Sequence, residues 1–163
     1  MQTQITPINV CEVNEQGITK KYITLVNAET MHKKGLVSEQ IIGQLINTDP
    51  NASIAPENFA RNPAFVHFLH KVIKAYAPTL PAFQNSARSQ HEGFVIIIDG
   101  RTPTPQGQVP PEDIIGLFQV KDGIVDPTSY NPNENHKLLT TKGFFQLESS
   151  LLECLLNEIA NLN

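Results

Sequence analysis

Acidic and basic side chains lie at both ends of one proline-rich segment. Asp99 and Arg101 precede the segment, and Glu112 and Asp113 close it. If the strands on either side are neighbours, three carboxylates and a guanidinium meet at one rim of a sheet. Carboxylates in different environments can divide the roles of general acid and general base, or bind a divalent cation. His136, farther along the chain, could act as a base. These five residues are the candidate catalytic group.

The same residues also have a structural interpretation. Asp99 suits a turn, and Arg101 could pair with Glu112 or Asp113 to anchor the loop 101–113. Connections of this length are often functional, whereas the four prolines of this loop also suit a rigid connector. The sequence leaves both interpretations open, a recognition loop or a structural connector.

Two loops rich in proline and asparagine supply the candidate binding residues. They span residues 101–113 and 127–137, and loops held by a rigid scaffold often carry binding residues. The candidates for contact with a ligand or partner are Arg101, Thr102, Pro103, Pro105, Tyr130 and Asn133. The second loop offers oxygen ligands, but it lacks the glycine and acidic positions of a calcium loop.

Other sites are less favoured by the sequence. His67 and His70 are three residues apart and could form a metal pair, but Lys71 and Lys74 occupy the same predicted helix face. We therefore expect no metal site and a solvent-exposed basic face. The chain also lacks a glycine-rich phosphate-binding loop and a serine nucleophile motif. We expect no cofactor, and the sequence favours a non-enzymatic role.

Composition limits the class of protein and its partners. The chain has 163 residues, which suits a single domain over residues 1–163, and 40% of them are apolar. The net charge of −4 argues against a nucleic-acid partner. There is no long apolar run for a membrane span and no signal-peptide pattern at the start. The sequence therefore predicts a soluble, cytoplasmic protein without a membrane partner.

An antiparallel sheet of about four to six strands is predicted mainly within residues 94–147. Residues 94–98 form a continuous apolar run, which is typical of a central strand buried on both faces. An Asp-Gly pair between 114–120 and 124–125 predicts a hairpin. A second hairpin is predicted to pair residues 137–139 with residues 144–147 across a turn at 140–143. We expect a β meander here.

Helices are predicted on both sides of this meander. Residues 63–76 have one apolar face after a capping Asn62, and the C-terminal helix 149–162 is amphipathic. Ser150 and Glu153 have the spacing of a capping box at its start. The fold class expected from these patterns is α+β, with the sheet packed against N-terminal helices and the C-terminal helix.

The N-terminal part, residues 1–90, is predicted to be mixed and mostly helical. A hairpin formed by 8–13 and 18–26 is expected, although 18–26 also has helical spacing. Short helices are expected at 28–34, capped by Asn27, and at 81–90. Another helix is expected from Ser38 to Ile46.

Two functional hypotheses from different classes follow. The leading one is a non-enzymatic binding or accessory domain that contacts a protein partner, or a second copy, through the two loops. The alternative is a small enzyme or small-ligand-binding domain with a polar site at the end of the central strand. The alternative requires the candidate catalytic group to converge on a concave pocket.

Overall fold

The structure is a computed structural model, and it describes residues 5–101 and 109–162. Helices and antiparallel sheets in these residues form the α+β fold that the sequence predicts. None of the helices in the described ranges has both the length and the apolar character needed to cross a membrane.

The first sheet is antiparallel and has the strand order β1-β2-β3-β4. Its strands are β1 (Asn9–Glu15), β2 (Ile18–Thr24), β3 (Ile41–Leu45) and β4 (Phe59–Arg61). The predicted N-terminal hairpin is confirmed, because β1 and β2 pair along their whole length. The ambiguous segment that starts at Ile18 is therefore a strand.

The predicted helix from Ser38 to Ile46 is wrong. Only a single 3₁₀ turn, Ser38–Gln40, forms there, and β3 follows directly. Isoleucine favours strands, and Gly43 disfavours a helix interior. A Cβ at Gly43 would lie 2.4 Å from the carbonyl oxygen of Ala60, so the glycine permits the close approach of β4. The local apolar pattern of this segment suits either element, and pairing with β2 and β4 decides for the strand.

Within the described residues, four α-helices flank the sheets: α1 (Ala28–Lys34), α2 (Pro63–Tyr76), α3 (Pro81–Arg88) and α4 (Ser149–Ala160). The caps predicted at Asn27 and Asn62 are confirmed, since each side chain accepts a backbone N–H of the first turn. The capping box predicted at the start of α4 is wrong. Glu148 caps α4 instead and accepts the N–H groups of Ser150 and Leu151, both at 3.1 Å.

The second sheet is formed by β5 (Glu92–Ile98), β6 (Ile114–Lys121), β7 (Ile124–Val125) and β8 (Asn131–Pro132). β6 pairs with the other three strands. The predicted Asp-Gly hairpin is confirmed between β6 and β7, and both turn residues have positive φ. A separate two-stranded ribbon, β9 (Leu139–Thr140) with β10 (Gly143–Phe144), confirms the second predicted hairpin.

The prediction that residues 94–98 form a central strand buried on both faces is wrong. β5 is the end strand of its sheet, and β6 is central. Val95 and Ile97 point into the core, whereas Phe94 is 53% exposed and Ile96 is 42% exposed. A continuous apolar run does not by itself distinguish two buried faces from one buried and one exposed face.

One cluster of buried apolar side chains joins the two sheets to the helices. Its members include Ile23 and Ile42 of the first sheet, Leu69 of α2, Phe118 of β6 and Leu155 of α4. This shared core fixes β4 and α2 beside the segment that connects β8 with β9. The candidate functional residues lie at that junction.

Candidate functional site

Four ionisable side chains from distant parts of the sequence meet below the protein surface. Asp99, Arg101, Asp113 and His136, named here the buried charge cluster, all lie in the protein interior. Nη2 of Arg101 lies 3.0 Å from Oδ2 of Asp99 and 3.0 Å from Oδ1 of Asp113. The Arg101 side chain is only 1% exposed. The cluster therefore joins the ends of β5 and β6 by ion pairs out of contact with solvent.

Backbone hydrogen bonds place Asp99 at the centre of this cluster. Its N–H donates to the carbonyl of Asp113 at 2.7 Å, which extends the pairing of β5 with the segment before β6. Its Oδ1 accepts the backbone N–H of Gln146 at 2.8 Å and that of Arg101 at 3.2 Å. Asp99 thus combines the turn that the sequence predicts with a buried acceptor role.

Arg101 ties three further segments together through backbone carbonyls. Its guanidinium donates to the carbonyls of Lys137 at 2.6 Å, Gly143 at 3.1 Å and Glu112 at 3.3 Å. In the described part of the chain, Nε of Arg101 has no hydrogen-bond partner. The planar fork of an arginine suits this multiple role, which a lysine could not fill. Arg101 anchors the end of the proline-rich loop, as the structural interpretation of the sequence expects.

His136 is the member of the cluster that reaches open space. Its Nε2 lies 2.9 Å from Oδ2 of Asp99, and the residue is 5% exposed. His136 lines two neighbouring cavities, the first cleft of about 560 Å³ and the second cleft of about 510 Å³. Among the described residues, its Nδ1 has no hydrogen-bond partner. A buried carboxylate that holds one nitrogen of an imidazole fixes its orientation and leaves the other nitrogen for a ligand.

The two clefts both border the segment 133–139 and share several lining residues. The shared residues are Arg61, Glu134, Asn135, His136 and Leu138. Cavities of this size are typical of small-molecule sites. The second cleft is additionally bounded by Val66, Leu69 and His70 of α2, so it combines apolar and polar walls.

His70 faces the second cleft with a fixed partner behind it. Its Nδ1 lies 2.6 Å from the hydroxyl oxygen of Tyr130. The Tyr130 ring packs against Phe118, with 4.9 Å between the ring centroids. Burial, then repulsion from the protonated forms of His136 and His67, lowers the pKa of His70 to about 4. Burial raises the pKa of Tyr130 above its usual range. At neutral pH, the imidazole and the phenol are therefore both uncharged.

Arg61 supplies positive charge at the mouth of both clefts. It is exposed at the end of β4, and it has no ion pair with any residue in the described ranges. Glu134 is also exposed and borders both clefts, and Lys137 borders the first. The second cleft therefore combines one arginine, one carboxylate and two imidazoles.

The structure brings together most of the candidate catalytic group. Asp99, Arg101, Asp113 and His136 converge, and of these four His136 is the one that lines the two clefts. Glu112 lines the first cleft, and its carbonyl accepts from Arg101. The group is thus largely internal, rather than arranged around an open pocket.

The candidate binding residues have different surroundings. Asn133 donates to the carbonyls of Pro111 at 2.8 Å and Ile114 at 2.7 Å, which fixes its own loop. Tyr130 supports His70 from behind. The candidates Thr102, Pro103 and Pro105 lie outside the described residues.

Sequence reasoning missed two residues of the second cleft. His70 was expected on a solvent-exposed face with His67, whereas it is half-buried and only His67 is exposed. Its position at the edge of the apolar face of α2 was the available signal. Arg61 had no signal, because its neighbours in the cleft come from a distant segment.

One other group of polar side chains has the spacing of metal ligands. Atoms of His91, Glu92 and Asp122 lie within 4.8 Å of one another, and all three residues are exposed. Nε2 of His91 lies 3.5 Å from Oδ1 of Asp122, which accounts for the proximity as a surface ion pair. No further feature of the described chain indicates an ion there.

Comparison with protein-family models, curated proteins and solved structures finds no match for this chain. The geometry of the second cleft is therefore the basis for a functional proposal.

Proposed function

We propose that this protein binds a small polar molecule with an anionic group in the second cleft. One observation carries the proposal: Arg61 and His136 line the same cavity of about 510 Å³. Arg61 has no ion pair in the described part of the chain, and His136 is fixed from below by Asp99. An unpaired guanidinium beside an oriented imidazole suits a carboxylate or phosphate group.

The charge around the cleft limits the class of ligand. Glu134 borders the same cavity and would repel a strongly anionic molecule. The apolar side chains of Val66, Leu69 and Leu138 offer contact area for a short carbon skeleton. We therefore favour a small molecule with one anionic group over a polyanion.

The buried charge cluster supports this site without touching the ligand. The side chains of Asp99, Arg101 and Asp113 are at most 1% exposed, so His136 is the member of the cluster that a molecule in the cleft would contact. This modifies the alternative drawn from the sequence, in which all the charged groups line the pocket. A cytoplasmic location and the absence of a nucleic-acid partner remain parts of the proposal.

A ligand screen with a matched pair of arginine variants tests the proposal. Thermal unfolding would be followed with small carboxylates and phosphates for the natural sequence, Arg61→Ala and Arg88→Ala. Arg88 is exposed on α3 and does not line the second cleft. A ligand at 100 times its Kd stabilises the folded state by about 2.7 kcal/mol. We expect this gain to disappear in Arg61→Ala and to persist in Arg88→Ala.

Two results would contradict the proposal. One is that no carboxylate or phosphate raises the unfolding temperature of the natural sequence. The other is that stabilisation survives the loss of Arg61, which would place the ligand elsewhere.

Self-association is a second candidate function, and one observation favours it. The end strand β5 exposes Phe94 and Ile96, and an end strand can pair with a further strand. Identical end strands can pair antiparallel about a two-fold axis, so a second copy is the natural partner. Sedimentation velocity would show a dimer that Phe94→Glu dissociates. A monomer at all concentrations would remove this candidate.

A further inference from the structure

Two histidines border the second cleft, and each has one ring nitrogen held by a residue behind it. Nε2 of His136 lies 2.9 Å from Asp99, and Nδ1 of His70 lies 2.6 Å from the Tyr130 hydroxyl. A neutral imidazole has one donor nitrogen and one acceptor nitrogen. The partner of the held nitrogen therefore decides what the other nitrogen offers to the cleft.

His136 offers an acceptor. Oδ2 of Asp99 faces both Nη2 of Arg101 and Nε2 of His136, and its Oδ1 accepts two backbone N–H groups. A carboxylate surrounded by donors accepts a hydrogen bond from His136 as well, so the proton of that imidazole lies on Nε2. In the neutral imidazole, Nδ1 of His136 is then the nitrogen with the lone pair.

His70 offers a donor. The buried Tyr130 keeps its phenolic proton and donates it, so Nδ1 of His70 accepts. The proton of His70 then lies on Nε2. Because His70 lines the second cleft with Nδ1 occupied, this N–H is the group that remains for a ligand. His67, His136, Arg61 and Glu134 are the nearby charged or titratable groups, and burial is the main reason that His70 stays neutral.

We propose that His70 and His136 form a donor–acceptor pair that selects a hydroxyl group on the ligand. This inference rests on the function proposed above. A hydroxyl oxygen accepts from Nε2 of His70, while its proton is donated to Nδ1 of His136. With the anionic group on Arg61, the ligand class is a hydroxyl-bearing carboxylate or phosphate ester. Tyr130 and Asp99 are the positioning residues that set the two tautomers.

The first experiment needs no ligand. Long-range ¹H–¹⁵N correlation spectra of the full chain at pH 7 report which nitrogen of each histidine carries the proton. We expect Nε2–H for both His70 and His136. In Tyr130→Phe, His70 alone should lose its single tautomer. A proton on Nδ1 of either histidine in the natural sequence would overturn the inference.

The second experiment compares ligands that differ only by a hydroxyl. Lactate against propionate forms the carboxylate arm, and 2-hydroxypropyl phosphate against propyl phosphate forms the phosphate arm. One to two neutral hydrogen bonds correspond to a preference of about five- to tenfold for the hydroxylated member in Kd. The arm that shows the preference identifies the anionic group.

Matched variants connect this preference to the histidine pair. We expect Tyr130→Phe to abolish the preference for the hydroxylated ligand while both members of the pair still bind. We expect His67→Gln to retain the preference. His67 lies on the same helix and is exposed, so it controls for the loss of an α2 side chain. Equal affinities within both arms would overturn the hydroxyl inference and leave anion binding intact. Failure of all four ligands to bind would overturn both proposals.

Discussion

The buried charge cluster and the second cleft are two polar regions that share His136. They differ in how many protein groups contact their charged side chains. In the cluster, Arg101 contacts two carboxylates and three backbone carbonyls. In the cleft, Arg61 has no ion pair with any described residue. One arginine is engaged almost completely by the protein itself, and the other is available to a ligand.

This difference distinguishes charged residues that stabilise the structure from those that are available to bind a ligand. A buried charge loses its hydration on folding, so the protein must supply its partners, and those partners fix the surrounding backbone. An exposed charge keeps its water until something replaces it. The residues with the most contacts therefore explain why segment 133–139 is held in place. The residues with few contacts indicate where a ligand would bind.

Removal of Arg101 should have the largest effect on folding. Arg101→Met keeps much of the side-chain volume but leaves Asp99 and Asp113 buried without their guanidinium. Loss of one partner of a buried ion pair destabilises a protein by about 3–5 kcal/mol. Urea unfolding would measure this change. Arg88→Met, on an exposed part of α3, should stay within about 0.5 kcal/mol.

Arg101→Met could instead lower the free energy of unfolding by less than about 1 kcal/mol. The two carboxylates would then have to be well solvated, which would contradict the distinction between a buried cluster and an exposed cleft. Nε of Arg101 has no hydrogen-bond partner among the described residues, which lowers the net contribution of the natural side chain. It does not change the sign of the expected effect, because the variant removes a buried cation from beside two buried carboxylates.

Gly116→Ala should have the next largest effect, because it acts on the support of the cleft. A Cβ at Gly116 would lie 2.6 Å from the Tyr130 hydroxyl oxygen. That hydroxyl is held by His70, and the Tyr130 ring packs on Phe118, so the side chain cannot simply swing away. Overpacking of this kind costs about 1–3 kcal/mol. Unfolding experiments give the cost, and the histidine spectra would show whether His70 loses its partner.

Tyr130→Phe is the control that distinguishes overpacking in Gly116→Ala from loss of the hydrogen bond between Tyr130 and His70. It removes only the hydroxyl, so its cost should be about 1 kcal/mol. A cost for Gly116→Ala that is no greater than this would mean that Tyr130 moves freely and that the cleft has no rigid back wall.

The fold was more predictable from sequence than the site. Capping by Asn27 and Asn62 and the Asp-Gly turn are local signals, and the corresponding elements form as predicted. The segment that starts at Ser38 was predicted to be a helix, but it forms a strand after one 3₁₀ turn. The strand that includes Phe94 was predicted to be buried on both faces, but one face is exposed. In both, an apolar run was compatible with two structures, and the neighbouring strands decided between them.

The site followed the same division between local and distant signals. Asp99, Arg101 and Asp113 flank one loop, so their convergence was predictable from the strands that the loop connects. From the sequence, His136 was a possible base for this group, and its contact with Asp99 was not predicted. Arg61 and His70 belong to β4 and α2, and only the shared core brings them beside His136. No local pattern encodes that juxtaposition.

The pH dependence of stability should show a smaller effect that is specific to His70. Its pKa is about 4 in the folded state and 6.5 as the ordinary value, so between these values only the unfolded chain binds the proton. Stability must therefore fall as the pH decreases from 6.5 toward 4. For a half-buried group, the loss should be about 1–2 kcal/mol after solvent screening.

His70→Gln isolates this contribution from that of the carboxylates. The variant loses the hydrogen bond to Tyr130 at every pH, which is a constant offset, but it has no proton to gain. Urea unfolding at pH 7 and at pH 4.5 should therefore show a smaller decrease for the variant than for the natural sequence. Equal decreases would mean that His70 is protonated in the folded protein and that the second cleft is well hydrated.

Arg61→Ala should have the smallest effect on folding. The guanidinium is exposed and has no ion pair in the described chain, so its removal should change the free energy of unfolding by no more than about 0.5 kcal/mol. The same residue type at position 101 is expected to cost several times more in the same urea experiment. A large loss for Arg61→Ala would show that the arginine supports β4 rather than a ligand. A negligible loss of stability together with a complete loss of ligand-induced stabilisation would place the binding function of the cleft on Arg61.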